Sequence, residues 1–322
     1  MIVITGAAGF IGSCLVKRFN GEGVDSLILV DDVKNGIKKN NLADKRYVDL
    51  IGIDLFPKWF GGNAAKIDMV FHLGACSDTA QFDKKVFDRL NVNYSKDIWS
   101  ICAKYNIPLI YASSAATYGA GEAGYDDDHE GVKILKPLNP YGQSKQDFDL
   151  WVLRQKETPP RWYGLKFFNV YGPNEYHKAR MASMVFNGFN QIKNTGAVKL
   201  FRSHKKEFKD GEQLRDFVYV KDVTEVCLFF LKNKDAPSGL YNVGTGKARS
   251  FLDLEKAVFM AMGQPVNIQF VDIPEDIRDK YQYFTEAKIE KLRAVGYTRP
   301  FTSLEKGVTD YVRNYLAGNS NY

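Results

Sequence analysis

The first half of the chain alternates short apolar runs with stretches in which apolar residues recur at helical spacing. Strands are predicted at Ile2–Thr5, Leu27–Val30, Met69–Leu73, Leu109–Ser113 and Tyr163–Phe168. Helices are predicted over Phe10–Phe19 and Asn91–Tyr105, and a third is predicted to begin near Pro140, because proline is tolerated in the first helical turn. Strands that alternate with helices are typical of a parallel, doubly wound α/β sheet.

The second half of the chain is less regular. Gly172-Pro173-Asn174 interrupts the pattern, and two apolar runs, Phe217–Val220 and Leu240–Val243, are predicted to rejoin the sheet. The remaining predictions are a helix over Ser183–Lys193, a loop over His204–Gln213, and mostly helix after Ser250 with a short strand near Ile268–Val271. We therefore expect a larger domain from residues 1–171 and 216–246, and a smaller, discontinuous α/β domain from residues 172–215 and 247–322.

The composition suits a globular protein with a sizeable core, since 45% of the 322 residues are hydrophobic and 25% are charged. No run of 18 apolar residues occurs, and no basic leader precedes an apolar stretch, so neither a membrane span nor a secretory signal is expected. The net charge of +6 comes from scattered Lys and Arg residues without a nucleic-acid-binding motif. It favours a solvated basic surface or attraction of a small anionic substrate.

The cysteines and histidines argue against a metal site or a disulfide framework. The chain has four histidines and four isolated cysteines, Cys14, Cys76, Cys102 and Cys227, with no Cys-x-x-Cys pair. Isolated thiols suit a reducing compartment, so we expect a cytoplasmic protein without a metal.

Three glycines lie between the first predicted strand and the first predicted helix. Gly6, Gly9 and Gly12 form the pattern Gly-x-x-Gly-x-x-Gly. Glycine permits a tight turn and lets a pyrophosphate approach the backbone, and the helix N-terminus offers N–H groups to the phosphates. The motif predicts a dinucleotide site of the Rossmann type. The alternative is a glycine turn that binds no ligand.

Acidic residues end the second predicted strand. Asp31 and Asp32 lie where an acidic side chain accepts hydrogen bonds from the adenosine ribose. The Asp31 carboxylate repels a 2′-phosphate and so favours NAD. The following Lys34, Lys38 and Lys39 either neutralise such a phosphate and favour NADP, or form a solvated loop. The local sequence leaves the choice between NAD and NADP open.

A tyrosine and a lysine stand four residues apart in a predicted helix. This spacing places Tyr141 and Lys145 on one face, where the ammonium is expected to favour the phenolate and lower the tyrosine pKa. Ser114 and Thr117 follow the strand Leu109–Ser113, and ligands of such sheets bind at the carboxyl ends of the strands. The Ser114 hydroxyl can hydrogen-bond a reacting substrate oxygen, and Thr117 can assist. The alternative for the tyrosine and lysine is the surface of an amphipathic helix.

The order of these motifs resembles that of the extended short-chain dehydrogenase/reductases over nearly the whole chain. The resemblance is carried by the glycine motif, by Tyr141 and Lys145, and by three further stretches, Ser113–Gly119, Phe168–Pro173 and Arg215–Val220. In that superfamily the tyrosine is the general acid or base, the lysine supports it, and the serine orients the substrate. The resemblance implies the same roles for Tyr141, Lys145 and Ser114.

Several stretches are similar to one group within this superfamily, the epimerases of nucleotide-activated heptoses. They are His72–Ser77, Tyr111–Gly119, Phe168–Lys178 with Met181–Ser183, and Tyr281–Thr285. The similarity implies NADP as the cofactor and a homopentameric assembly. The implied reaction inverts carbon 6 of the heptose of an ADP-heptose by transient oxidation, a step in the synthesis of lipopolysaccharide core precursors.

The same similarity implies that Lys178 is a second catalytic base. An epimerase removes a hydride from a carbon and returns it to the opposite face, so the ketone intermediate must turn over. A proton acceptor on each side then serves the two positions of the oxygen. The alternative for Lys178 is an exposed loop lysine.

The resemblance also implies two sets of binding residues. The cofactor set is Gly6, Gly9, Phe10, Ile11, Gly12, Asp31, Asp32, Lys38, Leu73, Gly74, Ala75, Cys76, Ser77, Asn91, Tyr141, Lys145, Val170 and Lys178. The substrate set is Ser77, Ser114, Asn169, Arg180, Asn187, Phe201, Arg202, Ser203, His204, Arg215 and Tyr281.

The chain departs from the heptose-epimerase pattern on the substrate side. A serine is usual at Arg180, a histidine at Asn187 and Glu-Gly-Ser at Arg202-Ser203-His204, and this chain has extra residues before Arg215. These departures leave the nucleotide and the sugar open. Arg215 is predicted to hold the diphosphate, since guanidinium pairs well with phosphate. Its alternative is a structural ion pair with Asp216 or another acid.

Three other functions are weighed against this one. A UDP-hexose 4-epimerase is disfavoured by the residues around Lys178. A dehydratase normally has an acidic residue beside its active threonine, where this chain has Ala115-Ala116 before Thr117 and Tyr118 after it. A non-enzymatic NADP-binding sensor is expected to lack the tyrosine or the lysine.

Overall fold

The computed structural model describes residues 1–32, 36–78, 81, 83–278 and 281–322, and Lys34 lies outside them. Within these ranges seven strands form a parallel sheet in the order β11-β6-β5-β4-β1-β2-β3. The strands of the chain are β1 (Ile2–Thr5), β2 (Leu27–Val30), β3 (Asp49–Ile51), β4 (Met69–His72), β5 (Leu109–Ser114), β6 (Trp162–Phe167), β7 (Asn169–Tyr171), β8 (Val198–Phe201), β9 (Leu214–Arg215), β10 (Phe217–Tyr219), β11 (Gly239–Val243), β12 (Arg249–Ser250) and β13 (Ile268–Val271).

Helices connect these strands. They are α1 (Phe10–Gly21), α2 (Gly36–Asn40), α3 (Phe56–Asn63), α4 (Lys84–Phe87), α5 (Tyr94–Lys104), α6 (His129–Val132), α7 (Pro140–Val152), α8 (Met184–Thr195), α9 (Val220–Lys232), α10 (Phe251–Met262), α11 (Glu275–Arg278), α12 (Glu290–Ala294) and α13 (Leu304–Tyr311). Short 3₁₀ segments occur at Ala64–Lys66, Ala115–Tyr118 and Tyr176–Met181, and π-helical segments at Asp88–Asn93 and Val312–Leu316. No helix of the described ranges is long and apolar enough to span a membrane.

The central strands are buried on both faces, which explains why they are continuous apolar runs in the sequence. All four residues of β1, β2 and β4 are buried. Two clusters of apolar side chains, one on each face of the sheet, form the main core. The architecture confirms the predicted doubly wound α/β fold.

One predicted strand joins a different partner. Phe217–Val220 was expected to rejoin the central sheet, and this is wrong, because β10 pairs in parallel with β7 in a separate two-stranded sheet. The place beside β6 belongs to β11, which confirms the prediction for Leu240–Val243. β3 and α3 were not predicted. β3 is only three residues long, and the buried aromatic residues of α3 are Phe56 and Phe60 alone.

A third apolar cluster lies beside the sheet and combines α8, α10, α13 and the β8–β13 pair. Phe10 and Cys14 of α1 contribute to this cluster, so the helix that follows the glycine motif also packs against the later part of the chain. The strand predicted at Ile268–Val271 is confirmed, and its partner is Val198–Phe201.

A buried carboxyl group lies inside this third cluster. Glu255 on α10 is 0% exposed, and neither carboxyl oxygen has a hydrogen-bond partner within the described ranges. It packs on Gly188 of α8, where an added Cβ would lie 2.0 Å from Oε2. Burial raises the pKa of Glu255 well above its ordinary value, because the charged form is poorly solvated there.

This buried carboxyl group should make the stability of the protein depend on pH. The folded state keeps a proton that the unfolded chain releases, so the free energy of unfolding should fall as pH rises from the ordinary carboxyl pKa towards the raised one. Glu255→Gln removes the ionisation and should flatten this fall. Urea unfolding at pH 5, 7 and 9 measures it, with the exposed Glu157→Gln as control. Equal pH dependence in all three proteins would contradict the prediction.

Candidate active site

Three backbone segments meet at the carboxyl ends of β1 and β4, where the strand order reverses. Gly6 has φ +68°, and a Cβ there would lie 2.7 Å from the Gly74 Cα. A Cβ on Gly12 would lie 2.1 Å from the Gly6 carbonyl oxygen. The turn after β1, the first turn of α1 and the loop after β4 therefore pack backbone against backbone. This leaves a crevice at the topological switch point.

The N-terminus of α1 faces this crevice without a competing acid. Its cap residue Gly9 makes no side-chain hydrogen bond, and the first turn has no acidic side chain. The N–H groups of that turn are therefore suited to an anion. Asp31, at the end of β2, accepts hydrogen bonds from the backbone N–H of Ala8 at 2.9 Å and of Asp32 at 2.8 Å. These features fit a dinucleotide, with its pyrophosphate at α1 and its adenosine ribose near Asp31.

A cluster of basic side chains lies beside Asp31. The Lys38 Nζ is 3.4 Å from the Asp31 Oδ1. Burial, with the nearby charges of Lys38 and Lys178, lowers the pKa of His177 to about 4. Asn41 donates hydrogen bonds to the carbonyl oxygens of Ala8 and Asn174, both at 3.0 Å, and so ties the glycine loop to the segment that carries Lys178.

The predicted cofactor residues after β4 form a loop, Leu73–Ser77, that is fixed at both ends. The Gly74 N–H donates to the Thr5 Oγ1 at 3.2 Å. Asn91 accepts from the Cys76 N–H at 2.8 Å and donates to the Cys76 carbonyl oxygen at 2.9 Å. Asn91 also donates to the Ser144 Oγ at 2.9 Å, which joins this loop to α7. Ala75 and Ser77 are exposed within the loop.

The side chains of Tyr141 and Ser114, both candidate catalytic residues, meet in the structure. The Ser114 hydroxyl hydrogen-bonds the Tyr141 phenol and lowers its pKa, but burial has the larger effect, and the net pKa is raised. Lys145 donates to the Ala112 carbonyl oxygen at 2.8 Å, and burial lowers its pKa to about 8. The prediction that the lysine lowers the tyrosine pKa is wrong for this structure, because desolvation of the phenol outweighs the favourable contacts.

Thr117, considered as an assistant to Ser114, has a different place. Its side chain is 0% exposed. Its hydroxyl donates to the Ser114 carbonyl oxygen at 2.8 Å and accepts from the Lys166 Nζ at 2.9 Å. The hydroxyl therefore supports the backbone of Ser114 and does not face the crevice.

Lys178 lies in a segment whose two ends, Gly172 and Ser183, both hydrogen-bond the buried carboxyl group of Glu175. Glu175 accepts from the backbone N–H and the hydroxyl of Ser183, both at 2.6 Å, and from the Gly172 N–H at 3.4 Å. The Lys178 Nζ lies 5.5 Å from the centre of the Phe10 ring, beside the first turn of α1. Burial lowers the pKa of Lys178, and Glu175 opposes this. The alternative of an exposed loop lysine is therefore wrong.

Arg215 is a buried guanidinium group without a carboxylate partner among the described residues. It is 6% exposed and donates to the carbonyl oxygens of Leu214 and Gln282. Its guanidinium carbon lies 5.5 Å from the Phe251 ring centre and 5.4 Å from that of Tyr281. Burial lowers its pKa. An unpaired buried cation between aromatic rings is suited to an anionic ligand.

The suggested ion pair between Arg215 and Asp216 is wrong. The Asp216 carboxylate accepts from both the N–H and the hydroxyl of Thr245 at 2.7 Å, from the Gly246 N–H at 2.9 Å and from the Ala287 N–H at 3.0 Å. Asp216 therefore ties the segment after β11 to the C-terminal part of the chain. This leaves the Arg215 charge unmatched.

Comparison with known proteins places this site in a family. A profile of the NAD dependent epimerase/dehydratase family matches residues 2–244. This chain belongs to that family. An ADP-L-glycero-D-manno-heptose-6-epimerase of Fusobacterium nucleatum is 52% identical over the full length of both chains.

Solved structures of two family members are also similar. The crystal structure of the ADP-L-glycero-D-manno-heptose-6-epimerase of Helicobacter pylori is 31% identical with a TM-score of 0.81, covering 98% of this chain and 96% of its own. A UDP-glucose 4-epimerase of Thermus thermophilus in complex with NAD is 25% identical with a TM-score of 0.76, covering 98% of this chain and 99% of its own.

The other candidate substrate residues of this epimerase lie on several elements. Arg202, Ser203 and His204 follow β8, and the predicted loop begins at His204. The His204 N–H donates to the Tyr283 hydroxyl at 2.9 Å. Arg202 is exposed, 3.7 Å from Asp272 and 3.9 Å from Asp210. The Phe201 ring centre is 5.7 Å from that of Tyr281, and Asn187 donates to the Ala182 carbonyl oxygen at 3.0 Å. The remaining substrate candidates, Asn169 and Arg180, are exposed. Val170, which belongs to the cofactor set, is half-buried.

Sequence reasoning missed three buried charged residues around the site, Asp149, Lys166 and Glu175, each 0% exposed. One signal was present. Lys166 interrupts the apolar run Tyr163–Phe168, and a charge inside a buried parallel strand needs a partner. Asp149 stands one helical turn after Lys145, which places it on the same face of α7.

Strain next to Lys178 generates a prediction for the stability of this epimerase. Ala179 has φ +47° and ψ −123°, a conformation that glycine adopts readily and alanine does not. Ala179→Gly should raise the free energy of unfolding by about 1 kcal/mol. Ala182→Gly is the matched control, because Ala182 is extended with negative φ and buried, and this change should destabilise. Urea unfolding measures both, and a destabilised Ala179→Gly variant would show that Ala179 is not strained.

Proposed function

We propose that this protein interconverts ADP-D-glycero-D-manno-heptose and ADP-L-glycero-D-manno-heptose by transient oxidation at carbon 6, in the synthesis of lipopolysaccharide core precursors. The proposal is carried by one observation. The Tyr141–Ser114 pair and the half-buried Lys178 are found together in a chain that is 52% identical, over its full length, to a relative named for this reaction. When bound, the dinucleotide would supply the redox chemistry of the transient oxidation.

Two groups of opposite acid–base character handle the proton of the sugar hydroxyl in this proposal. Burial raises the pKa of the Tyr141 phenol and lowers the pKa of the Lys178 ammonium. At neutral pH the phenol therefore retains its proton, and the fraction of neutral amine on Lys178 increases. Lys178 accepts the proton when the alcohol becomes a ketone. Tyr141, held by the Ser114 hydroxyl, donates one when the turned ketone is reduced.

The substrate diphosphate is assigned to Arg215. Its guanidinium is buried, and within the described ranges no carboxylate pairs with it, so a diphosphate would supply the missing negative charge. Tyr281 and Phe201 line the same region, where aromatic faces suit an adenine or a sugar ring. The other substrate and cofactor residues keep the roles that the resemblance implies. We also propose that the two domains are divided at residues 171/172, 215/216 and 246/247.

Assembly and location complete the proposal. The resemblance to heptose epimerases supports a homopentamer. All four cysteines are free thiols, three of them buried, which is consistent with a reducing cytoplasm.

NADP is the proposed form of the cofactor. The Asp31 carboxylate is held by two backbone N–H groups and faces Lys38, which offsets the charge that would repel a 2′-phosphate. Lys38→Met should weaken NADP binding about tenfold and leave NAD binding unchanged. Titration of the cofactor-free protein measures both affinities. Lys66→Met is the control, an exposed lysine beyond the N-terminal end of the sheet whose loss changes the net charge equally. Tighter binding of NAD than NADP by the unmodified protein would contradict this assignment.

Two substitutions test the proposed chemistry. Tyr141→Phe and Lys178→Met should each lower the epimerisation of ADP-heptose by about 100-fold or more, since each removes a proton carrier. Chromatographic separation of the two epimers measures the rate. Tyr105→Phe, at a 41% exposed ring, and Lys193→Met, at an exposed lysine 6.0 Å from the Phe189 ring centre, are the matched controls.

The same assay separates this function from its rivals. A one-base UDP-hexose 4-epimerase would act on UDP-glucose and tolerate Lys178→Met. A non-enzymatic sensor would epimerise neither ADP-heptose nor UDP-glucose while still binding the cofactor.

A further inference from the structure

A buried ion pair lies directly below the candidate catalytic residues. The Lys166 Nζ is 2.7 Å from the Asp149 Oδ2, and both side chains are 0% exposed. Asp149 is on α7, one turn after Lys145, and Lys166 is on β6, in register with Ser113 of β5. The pair therefore joins the helix that carries Tyr141 to the two strands beneath it.

Hydrogen bonds extend this pair towards the substrate-facing residues. Asp149 accepts from the Ser113 hydroxyl at 2.6 Å and from the Tyr111 hydroxyl at 3.1 Å. Lys166 donates to the Thr117 Oγ1 at 2.9 Å, and Thr117 donates to the Ser114 carbonyl oxygen at 2.8 Å. The backbone on both sides of Ser114 is thereby attached to the ion pair.

The charges of the pair also act on the catalytic groups. Burial lowers the pKa of Lys145, and Asp149 opposes this. Burial raises the pKa of Tyr141, and Asp149 adds a smaller effect in the same direction. The titratable groups that face either the pair or Tyr141 come from every neighbouring element: Lys145 on α7, Tyr111 on β5, Tyr118 after β5, His129 on α6 and Cys76 after β4. The group in direct ionic contact with Asp149 is Lys166, at 2.7 Å.

A buried ion pair by itself contributes little to stability, because desolvation of two charges offsets their attraction. The pair hydrogen-bonds the Ser113 and Thr117 hydroxyls, and Asp149 affects the pKa of Tyr141 and of Lys145. These contacts point to a role other than stability.

We propose that Asp149 and Lys166 are positioning residues for the epimerisation, which fix Ser114 against Tyr141 and set the field in which the Tyr141 phenol exchanges its proton. Lys166 balances Asp149, so the phenol does not face an uncompensated carboxylate. This inference rests on the proposed function, since it assigns the pair to the proton transfer of that reaction.

The test is the pH dependence of kcat/KM for ADP-heptose epimerisation by the cofactor-loaded enzyme. The limb assigned to Tyr141 is the one that disappears in Tyr141→Phe. Asp149→Asn removes the negative charge and should move the midpoint of this limb to lower pH by about one unit. Lys166→Met leaves the carboxylate uncompensated and should move it to higher pH. The double variant removes both charges and should return the midpoint to that of the unmodified enzyme.

Glu225→Gln is the control, because Glu225 on α9 forms a partly buried ion pair with Arg18 in the last turn of α1, away from the site. It should leave the profile unmoved. Loss of rate in both single variants with an unmoved midpoint would overturn the inference and reduce the pair to a structural role. If Lys166→Met does not fold, Asp149→Asn alone tests the inference. The amide has the shape of the carboxyl group, and loss of the negative charge can move the midpoint of the Tyr141 limb only to lower pH if the inference holds. An unmodified enzyme that epimerises nothing would contradict the proposed function itself, whereas an active enzyme with unmoved midpoints contradicts only the role of the pair.

Discussion

The backbone contact between Gly6, Gly12 and Gly74 determines the geometry of the crevice above the sheet. No side chain separates these three segments, and a Cβ on Gly12 would overlap the Gly6 carbonyl oxygen at 2.1 Å. Because the first turn of α1 lies so close to the end of β1, its N–H groups open onto the point where the strand order reverses. The same contact holds the loop after β4 beside it. The cofactor cradle, the Lys178 loop over Phe10 and the end of β5 are all arranged around this point.

Burial acts in opposite directions on the two candidate proton carriers. Loss of water disfavours the charged form of any group, so the phenol of Tyr141 retains its proton and the ammonium of Lys178 loses its proton more easily. In the proposed reaction this one physical effect would favour Tyr141 as the acid and Lys178 as the base. The two residues stand on different kinds of structural element, however. Tyr141 stands on a helix fixed to the sheet, whereas Lys178 stands on a loop closed by the Glu175 carboxylate.

Two buried cations near the site are stabilised in contrasting ways. Lys166 has Asp149 at 2.7 Å and a second acceptor in Thr117, so its charge is matched inside the protein. Within the described part of the chain, the partners of the Arg215 guanidinium are two backbone carbonyl oxygens and two aromatic rings. An uncompensated buried charge is costly, and a bound anion relieves that cost. The matched cation therefore suits a role within the scaffold, and the unmatched one suits a ligand.

Local sequence determined much of this protein. The apolar runs gave the bounds of β1, β2 and β13, the glycine spacing gave the turn before α1, and the spacing of Tyr141 and Lys145 gave one face of α7, because these features depend on neighbours along the chain. Tertiary structure alone decided the rest. It paired β10 with β7, turned the Thr117 hydroxyl towards Lys166, and raised the Tyr141 pKa. It also placed the Arg215 guanidinium between two aromatic rings. Strand partners and desolvation are set by residues far apart in sequence, and no local pattern records which of them will meet.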